Sequence, residues 1–183
     1  ICNDAMKQGS EDNLSCLLLQ VDELPSADFN ETFASLSKLS IPPAMQVGNI
    51  IDTFKIDKIL HEGARSHIYL ATNEISNLQV VLKMPSLNYV DDMAYLDGFY
   101  KEQWAGERLK HPSIMFIQPR IESSPFLYHI CEYVKGITLR QWMNENPEPS
   151  FDQVVKIIKK VVNAVRVLQR SSMVHRDLKP ENI

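Results

Sequence analysis

The chain has 183 residues, a formal net charge of −4, 44% hydrophobic and 23% charged residues, and three cysteines. This composition is ordinary for a soluble globular domain, and the lack of a basic block argues against a nucleic-acid partner. No apolar run approaches the roughly 20 residues that a membrane-spanning helix needs, so we expect no membrane segment within this chain. The cysteines, Cys2, Cys16 and Cys131, form no C-x-x-C pair, which disfavours a disulfide framework or a zinc site and suits the reducing cytoplasm.

Composition divides the chain into three zones. Residues 1–22 end in a short, nearly all-apolar run that is typical of a buried strand. Residues 23–50 mix prolines with polar residues and predict a linker, with one short helix around residues 31–39. Residues 51–183 show regular periodicity. Because the chain opens with Ile1 and without a signal peptide, we expect that it starts inside a longer protein and also ends inside one, with room for a membrane anchor beyond Ile183.

Regular secondary structure is predicted from Ile51 onward. Alternating apolar residues predict strands around residues 54–56, 68–70 and 78–83, and a further strand over 126–133. Helical spacing predicts a helix over 92–109 and a short helix over 139–146. Ser150 and Gln153 form a capping-box pattern, and the apolar residues that follow, as far as Leu168, predict a long amphipathic helix whose apolar face needs a partner.

The chain closes on the segment His175-Arg176-Asp177-Leu178-Lys179-Pro180-Glu181-Asn182 and one further residue. Asp177 can accept the proton of an attacking hydroxyl, and Lys179 can reach a transferring phosphate. Asn182 offers a neutral oxygen to magnesium. Phosphoryl transfer requires these parts. The other interpretation of this segment is a charged surface turn that contains a proline.

This segment matches the protein-kinase catalytic loop without a break, and residues 51–183 resemble the first half of a eukaryotic-type protein kinase. The resemblance implies an α+β fold: a small lobe with an antiparallel sheet and one helix, the C helix, then a hinge and the first helices of a truncated large lobe. It implies ATP and magnesium as cofactors and protein hydroxyls as substrates. Asp177 would be the base, Lys179 would steady the γ-phosphate as in the Ser/Thr-specific branch, and Asn182 would bind the metal.

Two charged residues resemble the pair that anchors the nucleotide in that family. Lys83 ends the run Val80-Val81-Leu82-Lys83, which is similar to the family's V-A-I-K strand, and would neutralise the α- and β-phosphates. Glu102 lies nine residues before His111-Pro112, the distance at which the family's C-helix glutamate pairs with that lysine. Glu107 is a competing carboxylate about one turn onward.

Residues 131–136 resemble the family's hinge. The resemblance implies that the backbone carbonyl of Glu132 and the backbone amide of Val134 bond the adenine edge. Cys131 would then lie at the rear of the adenine pocket.

The phosphate-binding loop of the family, G-x-G-x-x-G-x-V, aligns with residues 61–68. Only Gly63 is retained, because His61 and Ser66 occupy the outer glycine positions, and Ile68 stands at the valine position. Glycine lets backbone amides approach phosphates closely, so the loss of two glycines should stiffen the loop and weaken nucleotide binding. Arg65 either supplies a positive charge to the phosphates or is a solvated surface residue.

No D-F-G or A-P-E sequence follows the catalytic loop, because the chain ends first. The D-F-G aspartate would supply a carboxylate to magnesium, and Asn182 alone is a poor site for a hard dication. We therefore expect that this 183-residue chain has no kinase activity by itself. We also expect poor solubility, because the long helix lacks the rest of the large lobe.

Residues 9–15 and the apolar run after them resemble the C-terminal motif of PPM-type metal-dependent Ser/Thr protein phosphatases. The resemblance implies that Asp12 binds a magnesium or manganese ion that activates water; a turn is the other interpretation. Residues 1–22 would be the remnant of a phosphatase β-sandwich, followed by a linker over 23–50 and an incomplete kinase domain over 51–183, as in bacterial fusions of the two enzymes. The other metal ligands would lie upstream, so no phosphatase activity is expected from this chain.

The sequence therefore favours a cytoplasmic Ser/Thr protein kinase that is part of a bifunctional phosphatase and kinase. A pseudokinase-like module that regulates the phosphatase is the alternative. The altered glycine loop favours it, and the intact set of Lys83, Glu102, Asp177 and Asn182 opposes it. A small-molecule kinase of related fold is a third interpretation.

Overall fold

The structure is a computed structural model that describes Lys7 and residues 34–183. Its strands are β1 (Ile50–Ile51), β2 (Phe54–Glu62), β3 (Ser66–Asn73), β4 (Gln79–Pro85), β5 (Ile117–Gln118) and β6 (His129–Glu132). Its longer helices are α1 (Met93–Arg108), α2 (Leu139–Glu145) and α3 (Phe151–Arg170), and short 3-10 turns cover Leu87–Tyr89 and Pro180–Asn182. The strands form one antiparallel sheet in the order β1-β2-β3-β4-β6-β5. The predicted α+β architecture is confirmed for the described residues.

The two faces of the sheet have different roles, which follow from the strand register. One face forms the main hydrophobic core, in which Ile56, Tyr69, Leu82 and Met84 are almost completely buried. Successive side chains of a strand point to opposite faces. The residues between them, among them Lys83, therefore belong to the second face.

Helix α1 covers part of this second face. Asp92 caps its start by accepting a hydrogen bond from the Tyr95 amide at 2.9 Å, and the helix ends at Arg108, before Pro112. Leu96, Phe99 and Tyr100 are its buried apolar residues and form a second cluster with Leu36 and Leu127. This packing sets the side of α1 that faces the sheet.

Part of the segment that sequence composition assigns to a linker packs against this lobe. Leu36, in a short helical stretch over residues 34–36, is only 2% exposed because it lies against α1. Backbone bonds hold the segment at Ser40, whose amide donates to Pro125 at 2.9 Å and whose carbonyl accepts from Leu127 at 2.9 Å. The lobe therefore includes residues upstream of the first strand.

Helices α2 and α3 both begin with a complete capping box, formed by Thr138 and Gln141 and by Ser150 and Gln153, as predicted for the second pair. Helix α3 is strongly amphipathic, yet none of its residues is buried. In the described part of the chain, no helix combines the length and the apolar character that crossing a membrane requires.

Candidate active site

Three adjacent strands place Ile68, Lys83 and His129 in one row across the second face of the sheet. Lys83 of β4 pairs in register with Ile68 of β3 on one side and with His129 of β6 on the other. Directly opposed residues of antiparallel strands have their side chains on the same face. The Lys83 ammonium group is thus flanked by an aliphatic residue and an imidazole.

Lys83 forms a bidentate ion pair with Glu102 of α1. The Nζ atom of Lys83 lies 2.6 Å and 2.7 Å from the two carboxylate oxygens of Glu102. The side chains are 28% and 38% exposed, so the pair lies at the edge of the lobe and is open on one side. Glu107, the competing carboxylate, instead accepts a hydrogen bond from Gln103 on the same helix.

Charge around the pair keeps Glu102 ionised. Burial alone would raise the pKa of Glu102, but the surrounding positive charge outweighs it and lowers the pKa. Because His129 is neutral at pH 7, Lys83 is the main source of that charge. His175, from the catalytic-loop segment, makes a further, smaller contribution that lowers the pKa of Glu102.

His129 is a buried residue of this site that sequence reasoning missed. Its ring is stacked on Phe99 of α1 with centroids 3.7 Å apart, and its Nδ1 atom is 4.0 Å from Glu102. Both ring nitrogens are buried without a hydrogen-bond partner. Burial lowers the pKa of His129 to about 4, with Glu102 opposing and Lys83 reinforcing the shift. The apolar run 126–133 predicts that the position is buried, but no sequence signal predicts that it lies under the ion pair.

The hinge-like residues, 131–136, begin within β6 and continue beyond its end. Cys131 is 1% exposed and pairs in register with Val81, two residues before Lys83. Burial, with the nearby charge of Glu102, raises the pKa of the Cys131 thiol to about 12, so it remains a protonated and unreactive group. Glu132 ends the strand and donates its amide to the Phe116 carbonyl at 2.9 Å, whereas the Val134 side chain is 64% exposed.

The loop between β2 and β3 contains Gly63, where a side chain would not fit without movement. A Cβ atom at Gly63 would lie 2.5 Å from Nε2 of His61, and the Gly63 amide donates to the Ser66 carbonyl at 3.1 Å. His61 and Ser66, which stand at the outer glycine positions, therefore close the turn around Gly63.

The catalytic-loop segment brings Asp177, Lys179 and Asn182 together. Oδ2 of Asp177 is 2.9 Å from Nζ of Lys179 and accepts a hydrogen bond of 2.9 Å from the side-chain amide of Asn182. The Lys179 and Asn182 hydrogen bonds lower the pKa of Asp177, which is exposed to solvent. An ion pair of 2.8 Å between Arg140 and Glu181 attaches the segment to α2. The structure therefore gathers the predicted residues in two groups, one at Lys83 and one at Asp177.

The described residues supply only part of a magnesium site. Asn182 donates to both the carbonyl and the carboxylate of Asp177, which leaves its side-chain oxygen for a cation. Among Lys7 and residues 34–183, no group of three or more His, Cys, Asp or Glu side chains is arranged to hold a metal ion. Asn182 and Asp177 could therefore contribute to a magnesium site, and further carboxylate ligands would have to come from elsewhere. Asp12 lies outside the described residues.

An antiparallel sheet with one helix ion-paired to its central strand, followed by a connector, two helices and a polar loop, defines the class of protein kinase-like folds. The sequence profile of the protein kinase domain family matches residues 54–183. The chain belongs to this family.

Curated relatives are bacterial Ser/Thr kinases. The chain is 28% identical over 130 residues to Serine/threonine-protein kinase PrkC of Bacillus subtilis, which covers 71% of this chain and 20% of PrkC. It is 29% identical over 141 residues to the probable serine/threonine-protein kinase PknB of Lactococcus lactis, with 76% and 22% covered. The chain therefore spans about a fifth of the length of these relatives.

Solved structures show the same fold. The kinase domain of Mycobacterium tuberculosis PknI matches with a TM-score of 0.64 and 25% identity, over 76% of this chain and 56% of that one. The apo form of PpkA-294 matches with a TM-score of 0.64 over 78% of this chain and 57% of that one, at 16% identity, a level at which only the fold is comparable.

Proposed function

We propose that this chain is the ATP-binding lobe and catalytic loop of a Ser/Thr protein kinase that transfers the γ-phosphoryl group of ATP to protein hydroxyls. The observation that carries the proposal is the ion pair between Lys83 and Glu102 at 2.6 Å. It fixes an ammonium group on the second face of the sheet, on the side that is open to phosphates. An exposed lysine on a free side chain would be a weaker and less directed anchor.

The two groups of residues have different roles in the proposed reaction. Magnesium-ATP would supply the phosphoryl group, and its magnesium would neutralise the charge that develops on that group. Lys83 binds the α- and β-phosphates and is oriented by Glu102, while the backbone of Glu132 and Val134 holds the adenine edge. Gly63 and Ile68 cover the nucleotide from the loop and from β3.

Asp177 accepts the proton of the substrate hydroxyl. Its pKa is lowered, through its hydrogen bonds with Lys179 and Asn182, so the carboxylate is available as a base at neutral pH. Lys179 steadies the γ-phosphate, and Asn182 offers its side-chain oxygen to the metal. Proximity and charge provide most of the acceleration in reactions of this kind.

The test is transfer of radiolabel from ATP to a protein substrate by the full-length protein. Asp177→Asn should lower the rate by about 10²- to 10⁴-fold, because general-base catalysis is lost. Asp91→Asn, which removes a carboxylate elsewhere on the surface, is the matched control and should leave the rate unchanged. Label found on tyrosine rather than on serine or threonine, or a rate that Asp177→Asn leaves intact, would contradict the proposal.

We also propose that this 183-residue chain does not transfer phosphate alone, because Asn182 and Asp177 supply only part of a magnesium site. Residues 1–22 are proposed to be the end of a PPM-type phosphatase, supported only by the motif around Asp12. Manganese-dependent hydrolysis of a phosphopeptide by the full-length protein should disappear in Asp12→Asn and persist in Asp28→Asn. ATP turnover by the 183-residue chain, or phosphatase activity that Asp12→Asn leaves unchanged, would contradict these proposals.

The alternative is a regulatory module that binds ATP without transferring phosphate. The replacement of two loop glycines by His61 and Ser66 favours it, since these side chains restrict the approach of the loop backbone to phosphates. Saturable ATP binding with no label transfer by the full-length protein would select this alternative.

A further inference from the structure

The tip of the loop between β2 and β3 is attached to the helix that carries Glu102. Residues Ala64 and Arg65 form the tip, and Gly63 and Ser66 close it by a backbone hydrogen bond of 3.1 Å. In a loop with three glycines, the backbone itself can adapt to phosphates. With only Gly63 retained, the position of this tip has to be set by other contacts.

The carbonyl oxygen of Arg65 accepts two hydrogen bonds from outside the loop. The Tyr95 hydroxyl of α1 donates to it at 2.7 Å, and the Ser86 amide, directly after β4, donates to it at 2.8 Å. Burial, assisted by the charge of Glu102, raises the pKa of Tyr95 to about 12, so this hydroxyl keeps the proton that it donates.

The Arg65 side chain is held on the same side. Its guanidinium lies over the ring of Tyr89, 5.7 Å from the centroid, and the rings of Tyr89 and Tyr95 are 5.0 Å apart. A cation over an aromatic face is attracted by the negative charge of the ring face. The arginine therefore extends toward the turn that precedes α1, and the phosphates would meet the loop backbone rather than this side chain.

Tyr95 and Glu102 are seven residues apart on α1, about two helical turns, and so lie on one face of the helix. One helix thus holds the Lys83 ammonium through Glu102 and the loop tip through Tyr95. Both parts contact phosphates in the proposed function.

We propose that Tyr95 is a positioning residue that holds the phosphate-binding loop over the nucleotide, which matters here because the loop lacks two of the glycines that would let its backbone adapt to phosphates. The inference rests on the proposed kinase function. Removal of the hydroxyl leaves the Arg65 carbonyl held by the Ser86 amide alone, so the loop amides are placed less well when a triphosphate binds, while the adenine contacts stay as they are.

The test compares Tyr95→Phe with Tyr89→Phe in the full-length protein. Both variants keep their aromatic rings, and only Tyr95→Phe removes the hydrogen bond to Arg65. Calorimetry should show that Tyr95→Phe weakens magnesium-ATP binding about five-fold, the effect of one hydrogen bond, and leaves adenosine binding unchanged. The KM for ATP should rise by the same factor with little change in kcat, and Tyr89→Phe should behave like the parent protein.

Each outcome bears on the inference. Equal loss of ATP and adenosine affinity would mean that Tyr95 supports the whole cleft and would overturn it, as would unchanged or tighter ATP binding. The melting temperatures of both variants are also measured. A variant that melts like the parent is folded, so any change in its ligand affinity does not come from a folding defect. If the parent protein binds no ATP, the proposed function fails; if it binds ATP and Tyr95→Phe has no effect, only this inference fails.

Discussion

Glu102 is the residue that gives Lys83 a fixed direction. Charge-assisted hydrogen bonds of the kind seen between them are stronger than neutral ones, and both carboxylate oxygens are used. Folding does not require this geometry of Lys83 and Glu102, whereas contact between the lysine and a phosphate does. The effect of breaking the pair should therefore be larger on phosphate transfer than on folding.

Glu102→Gln should lower kcat/KM for ATP roughly ten- to a hundred-fold, which is the range expected for one hydrogen bond to a charged group. Glu107→Gln is the matched control on the same helix, because Glu107 bonds Gln103 and not Lys83. Steady-state phosphorylation by the full-length protein measures both. A similar loss in the two variants would mean that the charge of α1, rather than this contact, matters.

His129 should make folding sensitive to pH. Its folded-state pKa is about 4, below its ordinary value of 6.5, so the unfolded chain takes up a proton first as the pH falls. The stability that neutral His129 contributes is complete above pH 6.5 and is lost progressively toward pH 4. Between pH 7 and pH 5 this loss amounts to about 2 kcal/mol. Glu102 and Lys83 face the ring and modify the shift in opposite directions.

The measurement is urea unfolding of the dilute chain at pH 7 and pH 5, with His129→Leu as the comparison. The variant should lose less of its unfolding free energy over this interval than the parent, because leucine does not titrate. Equal pH dependence in both proteins would show that other groups dominate and that His129 is not neutral by burial.

Helix α1 contains two glycines with opposite surroundings. At Gly106 an added Cβ would lie 2.7 Å from the Cβ of Ile117 and also overlap the end of that side chain, so helix and strand β5 meet there without room for a methyl group. At Gly98 nothing lies within 4 Å. The pair shows how closely α1 is fitted to the sheet edge.

Gly98→Ala should stabilise the chain by about 0.5–1 kcal/mol through helix propensity alone. Gly106→Ala gains the same propensity but forces Ile117 to move, which costs roughly 1–3 kcal/mol, so it should melt below Gly98→Ala. Thermal unfolding followed by circular dichroism measures the difference. A Gly106→Ala variant as stable as Gly98→Ala would mean that α1 is free to shift outward.

The sequence predicted most of the secondary structure but only part of the site. Strand β4 and helices α1 and α3 were predicted to within about two residues at each end, because they have clear periodicity or caps. The predictions over 54–56 and 68–70 covered only part of β2 and β3. Strands β1 and β5 have two residues each, which is too short for any alternation to show. Tyr95 and His129 act through contacts with Arg65 and Phe99 that are distant in sequence, so no local pattern predicts them.

The described residues as a whole leave one large apolar surface uncovered. Phe151, Ile158 and Val162 of α3 are 81%, 54% and 40% exposed, and residues four apart on a helix share a face. Contiguous exposed apolar surface of this kind promotes association. This supports the expected poor solubility of the printed chain.

The printed chain should self-associate at tens of micromolar, as measured by sedimentation velocity. The double substitution Ile158→Lys and Val162→Lys should make it largely monomeric without loss of fold, because no residue of α3 is buried. Asn163→Lys adds charge on the same helix but removes no apolar side chain, so it should leave association unchanged. A monomeric parent chain would contradict this prediction.

The packing of Leu36 against α1 links this helix to the residues that precede the sheet. This side chain supplies part of the surface on which Leu96, Phe99 and Tyr100 rest, and backbone bonds at Ser40 fix its approach. Anything that cuts, stretches or displaces residues 34–41 therefore withdraws support from α1, and Glu102 moves with that helix. Movement of the residues that precede the kinase lobe is therefore transmitted to the ion pair of Lys83 and Glu102.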